Sequence, residues 1–189
     1  MKVHFFGGFR ASSQNVLAWC KSLEQKQPHV IAIGWPYPIE STAVDPLQRW
    51  NFSDPLAKCI SVDASECLIV GHSSGCAIAN DVANKTLTFG AKNFRLIALD
   101  GFRPKPDLLN LPGTMVWSAE CNGVRSLNYD VLKDSERFHV YRAKVRKKWP
   151  LHFSLINLNA SDNLDDITQG YHNCDANVEV LGLGSPEIA

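Results

Sequence analysis

Cys67-Leu68-Ile69-Val70-Gly71-His72-Ser73-Ser74-Gly75-Cys76-Ala77-Ile78 reads as a strand, a turn and the start of a helix in one short segment. Residues 67–70 are continuously apolar, the pattern of a strand buried on both faces. Helical spacing continues over Cys76–Thr86, with Ala77, Ile78, Val82 and Ala83 apolar. Between them, Gly71–Gly75 matches G-x-S-x-G. That pattern places a serine on a sharp, strained strand-to-helix turn, with its hydroxyl raised above the sheet. The flanking glycines allow the turn and a close approach of strand and helix. The helix start then offers N–H groups and its positive end to developing negative charge. These features point to Ser73 as a nucleophile. The competing meaning is an ordinary β–α turn rich in Gly and Ser.

Working outward, the same alternation recurs. Val3–Phe6 reads as a buried strand that stops at Gly7-Gly8, and Asn15–Leu23 as a helix carrying Val16, Trp19, Cys20 and Leu23 on one face. Val30–Ile33 is a second strand, closed by Gly34-Trp35-Pro36. Three prolines make 34–50 a loop-rich connection. Pro55–Ser61 suggests a short helix. Phe94–Leu99, Thr114–Trp117 and Phe138–Ala143 read as further strands. Beyond them, Phe153–Asn159 fits strand or helix, Leu164–Tyr171 looks helical, and Val178–Leu183 fits an edge strand. Strands alternating with helices predict one domain over 1–189, with a mostly parallel central sheet and helices on both faces. In such sheets function sits at the carboxyl ends of the strands. Here those ends are 7–10, 71–75, 100–103 and 118–122.

Composition narrows the class. The chain has 189 residues, 45% hydrophobic, 20% charged and 10% aromatic, the profile of a globular protein with a sizeable core. Lys+Arg and Asp+Glu both number 19, so the balance advertises neither a nucleic acid nor an anionic membrane as partner. No stretch reaches the about 18 apolar residues of a membrane span. The opening apolar run is short and broken by Gly7-Gly8, unlike a signal peptide. Six scattered cysteines without a C-x-x-C pair read as reduced, partly buried thiols, which suggests the cytoplasm.

A serine hydroxyl needs a base to take its proton and a carboxylate to orient that base. On a G-x-S-x-G scaffold the chain order is nucleophile, acid, base. His139, His152 and His172 come after Ser73. His139 falls inside a strand. His152 is joined to the strand 138–143 by a loop, from which a base can return over the turn, so it is the expected base and His172 the alternative. Two acids compete, Asp100 and Glu120, each at the end of a strand. The oxyanion donors expected are the Ser74 amide and an amide of Gly8 or Phe9, because Gly7-Gly8 lets the first loop approach a substrate carbonyl closely. No clustered His/Cys set implies a metal, and no organic cofactor is implied.

The turn and the segments after it resemble the thioesterase domains of polyketide and nonribosomal peptide synthesis. The likeness rests on Gly71–Gly75, then a helix, then Leu96-Ile97-Ala98-Leu99-Asp100-Gly101-Phe102-Arg103-Pro104, and on Pro150-Leu151-His152-Phe153-Ser154, similar to that family's Gly-x-His-Phe segment. It implies a compact α/β-hydrolase fold, Asp100 as acid and His152 as base. The chain is shorter than those domains. Residues 102–113 hold three prolines where the family carries a helical lid, so a reduced or absent lid is expected. Residues 8–15 also resemble retinoblastoma-binding-protein-9-like serine hydrolases, whose acid follows a later strand. That second likeness favours Glu120. Together they imply acyl transfer from a small-molecule thioester or ester to water through an acyl-enzyme. An acidic carrier protein could present the acyl group to the basic run Lys144–Lys148. The alternatives are acyl transfer or cyclisation by the same residues, and a non-catalytic binding module on the same fold.

Overall fold

A computed structural model describes residues 1–42 and 45–99 and the strands 115–121, 124–125 and 139–144. In chain order the elements are β1 (Lys2–Phe6), α1 (Ser13–Lys26), β2 (Ile31–Trp35), a 3₁₀ turn (Pro46–Arg49), α2 (Ser53–Val62), β3 (Cys67–His72), α3 (Gly75–Thr88), β4 (Phe94–Leu99), β5 (Met115–Cys121), β6 (Val124–Arg125) and β7 (His139–Lys144). The sheet runs β2-β1-β3-β4-β5, every pair parallel, and β7 continues it in parallel beside β5. The two-residue β6 turns back antiparallel on the end of β5.

Chain direction reverses between β1 and β3. The first crossover carries the chain from β1 out to β2; the next brings it back past β1 to β3, and the path continues to β4 and β5. Right-handed crossovers in opposite directions put their helices on opposite faces. Accordingly α1 packs on β2 and β1, and α3 on β3, β4 and β1, with α2 beside it. Alternate β1 residues serve the two layers. Phe5 stacks on Trp19 of α1, with ring centroids 4.0 Å apart. Phe6 joins Leu56, Ile60, Ile69, Ile78 and Val82 on the other face.

Most boundaries move by a residue or more from the sequence reading, and three of the shifts have a visible physical cause. Ser12 caps α1 by accepting from the Asn15 amide at 3.2 Å, while Asn15 Oδ1 accepts from the Ser12 amide at 3.0 Å, so the helix begins at Ser13 rather than Asn15. Strand β2 starts at Ile31 and continues through Gly34 and Trp35, which pair with Phe5 and Phe6. Gly34 is not a terminator there: a Cβ on it would lie 3.0 Å from Val16 Cβ, so its lack of a side chain lets α1 sit against the sheet. Strand β5 runs four residues past Trp117 because β7 pairs with it as far as Glu120 and β6 with Glu120 and Cys121. Among the described residues, Cys20, Cys67 and Cys76 are buried and Cys59 is exposed, all as free thiols. No described helix is long and apolar enough to cross a membrane. The segments 102–113, where a lid is expected to be reduced or absent, and 153–159, 164–171 and 178–183, with the expected last elements, lie outside the described residues.

Candidate active site

Ser73 sits between β3 and α3 with φ 53°, one of only three non-glycine residues at positive φ among those described. A left-handed backbone costs a residue with a Cβ about 1–2 kcal/mol, so the surroundings must hold it there. Several contacts do so. The Ser73 amide donates to the Leu99 carbonyl at 3.0 Å, tying the turn to the end of β4. The Cys76 amide donates to the Ser73 carbonyl at 3.0 Å and the Ala77 amide to that of Ser74 at 3.2 Å. Gly71 lets the returning helix come down on the strand, since a Cβ there would lie 2.5 Å from Cys76 Cα. Gly75 accepts the end of β1, because a Cβ on it would meet the carbonyl oxygens of Phe6 and Gly7 at 2.5 Å. Ser73 is 6% exposed and Ser74 1%.

The loop after β1 closes on this turn. A Cβ on Gly8 would lie 2.8 Å from Ser73 Cβ and 3.1 Å from the His72 carbonyl oxygen. Only a glycine there allows the backbone so near the serine. Residues 8–11 form a tight turn, in which the Ala11 amide donates to the Gly8 carbonyl at 2.8 Å and Arg10 takes φ 64°. Among the described residues, neither the Gly8, Phe9 nor Ser74 amide donates to a backbone carbonyl. This pair of loops flanks the point between β1 and β3 where the chain reverses, the usual place for a ligand in an open parallel sheet.

Tyr37, in the loop after β2, is a third contributor, which the sequence alone presents only as part of a proline-rich connection. Its amide donates to the Ala11 carbonyl at 2.9 Å, its hydroxyl to the Thr42 carbonyl at 2.5 Å, and its ring meets Phe9 edge-to-face with centroids 5.6 Å apart. Burial pushes its phenol up to about 12, partly offset by the Ser74 hydroxyl beside it. The available signal is an aromatic residue between Pro36 and Pro38, a rigid frame for a side chain.

The expected acids and bases are placed unevenly. Leu99 of β4 is level with His72 on one side and Trp117 on the other. Asp100, the next residue in the chain, lies outside the described residues. Glu120 is at the carboxyl end of β5, level with Lys144 of β7 and Arg125 of β6. His139 opens β7 and pairs with Met115, at the amino end of β5, as befits a sheet residue. His152 and His172 lie outside the described residues, as does 145–148 of the basic run. The structure thus brings together Ser73, Ser74, Gly8 and Phe9. No group of three or more His, Cys, Asp or Glu among the described residues could hold a metal ion.

Comparison with solved structures adds to this geometry. The chain is similar to the RedJ thioesterase of the prodiginine biosynthetic pathway in Streptomyces coelicolor, with TM-score 0.55 and 13% identity over 92% of this chain and 89% of that one. The chain has the α/β-hydrolase fold. Two more distant likenesses, both with TM-score 0.47, are to a protein described as a YdeN-like hydrolase from Pectobacterium atrosepticum (15% identity, 76% of each chain) and to one described as an α/β-superfamily hydrolase from Xanthomonas campestris pv. campestris (11% identity, 90% of this chain and 95% of that one). No family model and no curated protein matches the sequence. Ser73 and the Gly8–Phe9 backbone meet at the carboxyl ends of the adjacent parallel strands β3 and β1.

Proposed function

We propose that the protein is a serine hydrolase that cleaves an acyl thioester or ester through Ser73. The observation that carries this is the left-handed Ser73 backbone on a tight strand–helix turn, with Gly8 packed against its Cβ. Strain of this kind persists where function requires it. In the proposed reaction Ser73 Oγ attacks the carbonyl carbon as the base removes its proton. The C=O π electrons move to oxygen, and the Ser74 amide with that of Phe9 or Gly8 stabilises the oxyanion. Collapse expels the thiolate or alkoxide, which takes the proton from the base, and leaves an acyl-Ser73 ester. Water, deprotonated by the same base, then attacks the acyl carbon, the C–Oγ bond breaks to release the acid, and Ser73 Oγ takes the proton back from the base. His152 is the proposed base and Asp100 its orienting acid, with His172 and Glu120 as the alternatives. A carrier protein docking on the basic run 144–148 is the proposed route by which a thioester arrives. Use of an alcohol or amine in place of water would make the same residues an acyltransferase.

A fluorophosphonate probe tests the nucleophile directly. The protein should be labelled on Ser73, and Ser73→Ala should lose both labelling and at least about a thousandfold in turnover of nitrophenyl esters and acyl thioesters. A variant that hydrolyses them at the parent rate, or a parent that is never labelled, overturns the reading in favour of a binding module. Replacing His152, His172, Asp100 and Glu120 singly then assigns base and acid by which losses match that of Ser73→Ala.

A further inference from the structure

A groove of about 300 Å³ lies between α2 and the β2 edge of the sheet, on the face away from α1. It exists because α2 packs on α3, while α1 meets β2 from the other face, where Gly34 lies against Val16. The alternate residues Ile31, Ile33 and Trp35 of this edge strand are left partly uncovered, and Ile31 is 56% exposed. We infer that the groove is a binding site for an uncharged aromatic carbonyl compound, a ketone or amide with one ring and a short substituent. None of Gly8, Ser73 and Ser74 lines it, so the site is distinct from the proposed catalytic turn.

A donor held in one tautomer is the first argument. His4 lines the groove from the middle of β1 and is otherwise buried. Its Nδ1 accepts from the Trp35 indole at 3.2 Å, so the ring hydrogen is on Nε2. Trp35 is its one hydrogen-bond partner among the described residues. Nε2–H is the polar group His4 has left for a ligand, and it requires an acceptor. Charge is the second argument. The Lys2 ammonium and the Asp63 carboxylate on the lining pair with each other. Burial lowers the pKa of His4 to about 4 and pushes the Cys67 thiol up to about 12, so both are neutral between those values. An ion entering such a lining would give up its hydration without meeting a free counter-charge. Shape is the third. Leu56 and Ile60 of α2 lie on one side of the space, Ile33 and Trp35 of β2 on the other. Two apolar walls, one helical and one pleated, suit a flat ring, and the volume is at the small end of ligand sites.

Acetophenone, benzoate and benzylamine form a matched neutral, anionic and cationic set for the test. Cys59 reports occupancy, because it is an exposed free thiol on the lining. Its alkylation by iodoacetamide, read by peptide mass spectrometry, should slow at least about threefold in saturating acetophenone, with half the effect at about 1 mM. Each ion should require at least about fivefold more. Ser73→Ala protein should be protected equally. No protection, equal protection by either ion, or protection lost in Ser73→Ala overturns the groove. Cys59→Trp fills the space from α2, and saturation-transfer NMR should show acetophenone binding weakened at least about fivefold. Should that variant fail to fold, Ile33→Trp fills the space from β2 instead. Undiminished binding to a folded filling variant also overturns the groove. The serine reading is tested apart from it: protection of Cys59 in a protein that a fluorophosphonate never labels leaves the groove standing.

Discussion

Gly8 carries more of the site than its size suggests. A Cβ there would press on Ser73 Cβ at 2.8 Å, on the His72 carbonyl at 3.1 Å and on His72 Nδ1 at 3.2 Å. Neither the turn nor the loop can retreat freely, because Ser73 is tied to Leu99 and Ala11 to Gly8. Gly8→Ala should therefore cost about 1–3 kcal/mol of stability and lower kcat at least about tenfold, by moving the oxyanion loop off its position. Gly90→Ala is the matching control: its φ of 87° strains a side chain, yet nothing lies within 4 Å of the added methyl. It should cost about 1 kcal/mol and leave kcat untouched. Thermal melts and ester kinetics on both proteins check this; equal kcat losses would mean that strain, not the contact with Ser73, is responsible. At this scale the sequence was informative about type and order. Gly71–Gly75 and Gly7-Gly8 each admit a plain turn as well as a catalytic role, and the structure brings Gly8 against Ser73. The sequence was uninformative about Tyr37, whose role depends on a long-range approach to Phe9 and Ser74 that no local spacing encodes.

Tyr37 joins elements that are otherwise only neighbours. Its amide holds the loop after β1, its ring holds Phe9, and its hydroxyl closes its own loop on Thr42 while lying beside Ser74 at the start of α3. Tyr37→Phe keeps the ring contact and removes the hydroxyl. The expected loss is about 1 kcal/mol for the missing hydrogen bond, with a several-fold fall in kcat/KM for ester hydrolysis, since the loop that holds Phe9 beside the turn is loosened. The variant should also lessen an alkaline loss of stability, to which the buried Cys20 and Cys67 thiols, likewise pushed up to about 12, contribute the rest. The folded phenol ionises near 12 against about 10 in the unfolded chain, so between those values the unfolded state holds fewer protons and the parent loses stability as pH rises. A Tyr37→Phe protein with the same alkaline slope and the same kcat/KM would show the hydroxyl to be incidental. Elements themselves were largely readable beforehand. β4 has the bounds its apolar run gives, and α3 extends the expected helix by a residue or two at each end. The misreadings came where tertiary contact overrides local chemistry. Gly34 continues a strand because α1 needs the space, and β6 exists because the end of β5 offers it a partner.

Across the whole molecule, the acid sensitivity of folding sits apart from the catalytic turn. His4 lies mid-way along β1, 6% exposed, on the face shared with Trp35 and α2. The Trp35 indole donates to His4 Nδ1 at 3.2 Å, which requires an unprotonated nitrogen there. Burial, assisted by the neighbouring Lys2 ammonium and opposed by Asp63, lowers its pKa to about 4. Below the unfolded value near 6.5 the unfolded chain takes up a proton that the folded chain refuses. Stability should therefore be full above pH 6.5 and fall as pH drops from there toward 4, by about 3 kcal/mol, or roughly 10 °C in melting temperature for a chain of this length. His4→Gln retains an acceptor for the indole but cannot titrate, so its melting temperature should be nearly flat across that window. Esterase activity per folded molecule should have its own pH dependence, set by the base that serves Ser73 and unchanged by His4→Gln. A His4→Gln protein that keeps the parent's acid slope would place the sensitivity elsewhere. A shift in its kinetic pKa would show that the middle of the sheet and its carboxyl end are electrostatically coupled. The expected separation comes from the architecture: one strand, β1, carries a buried titrating group in its middle and delivers Gly8 to Ser73 at its end.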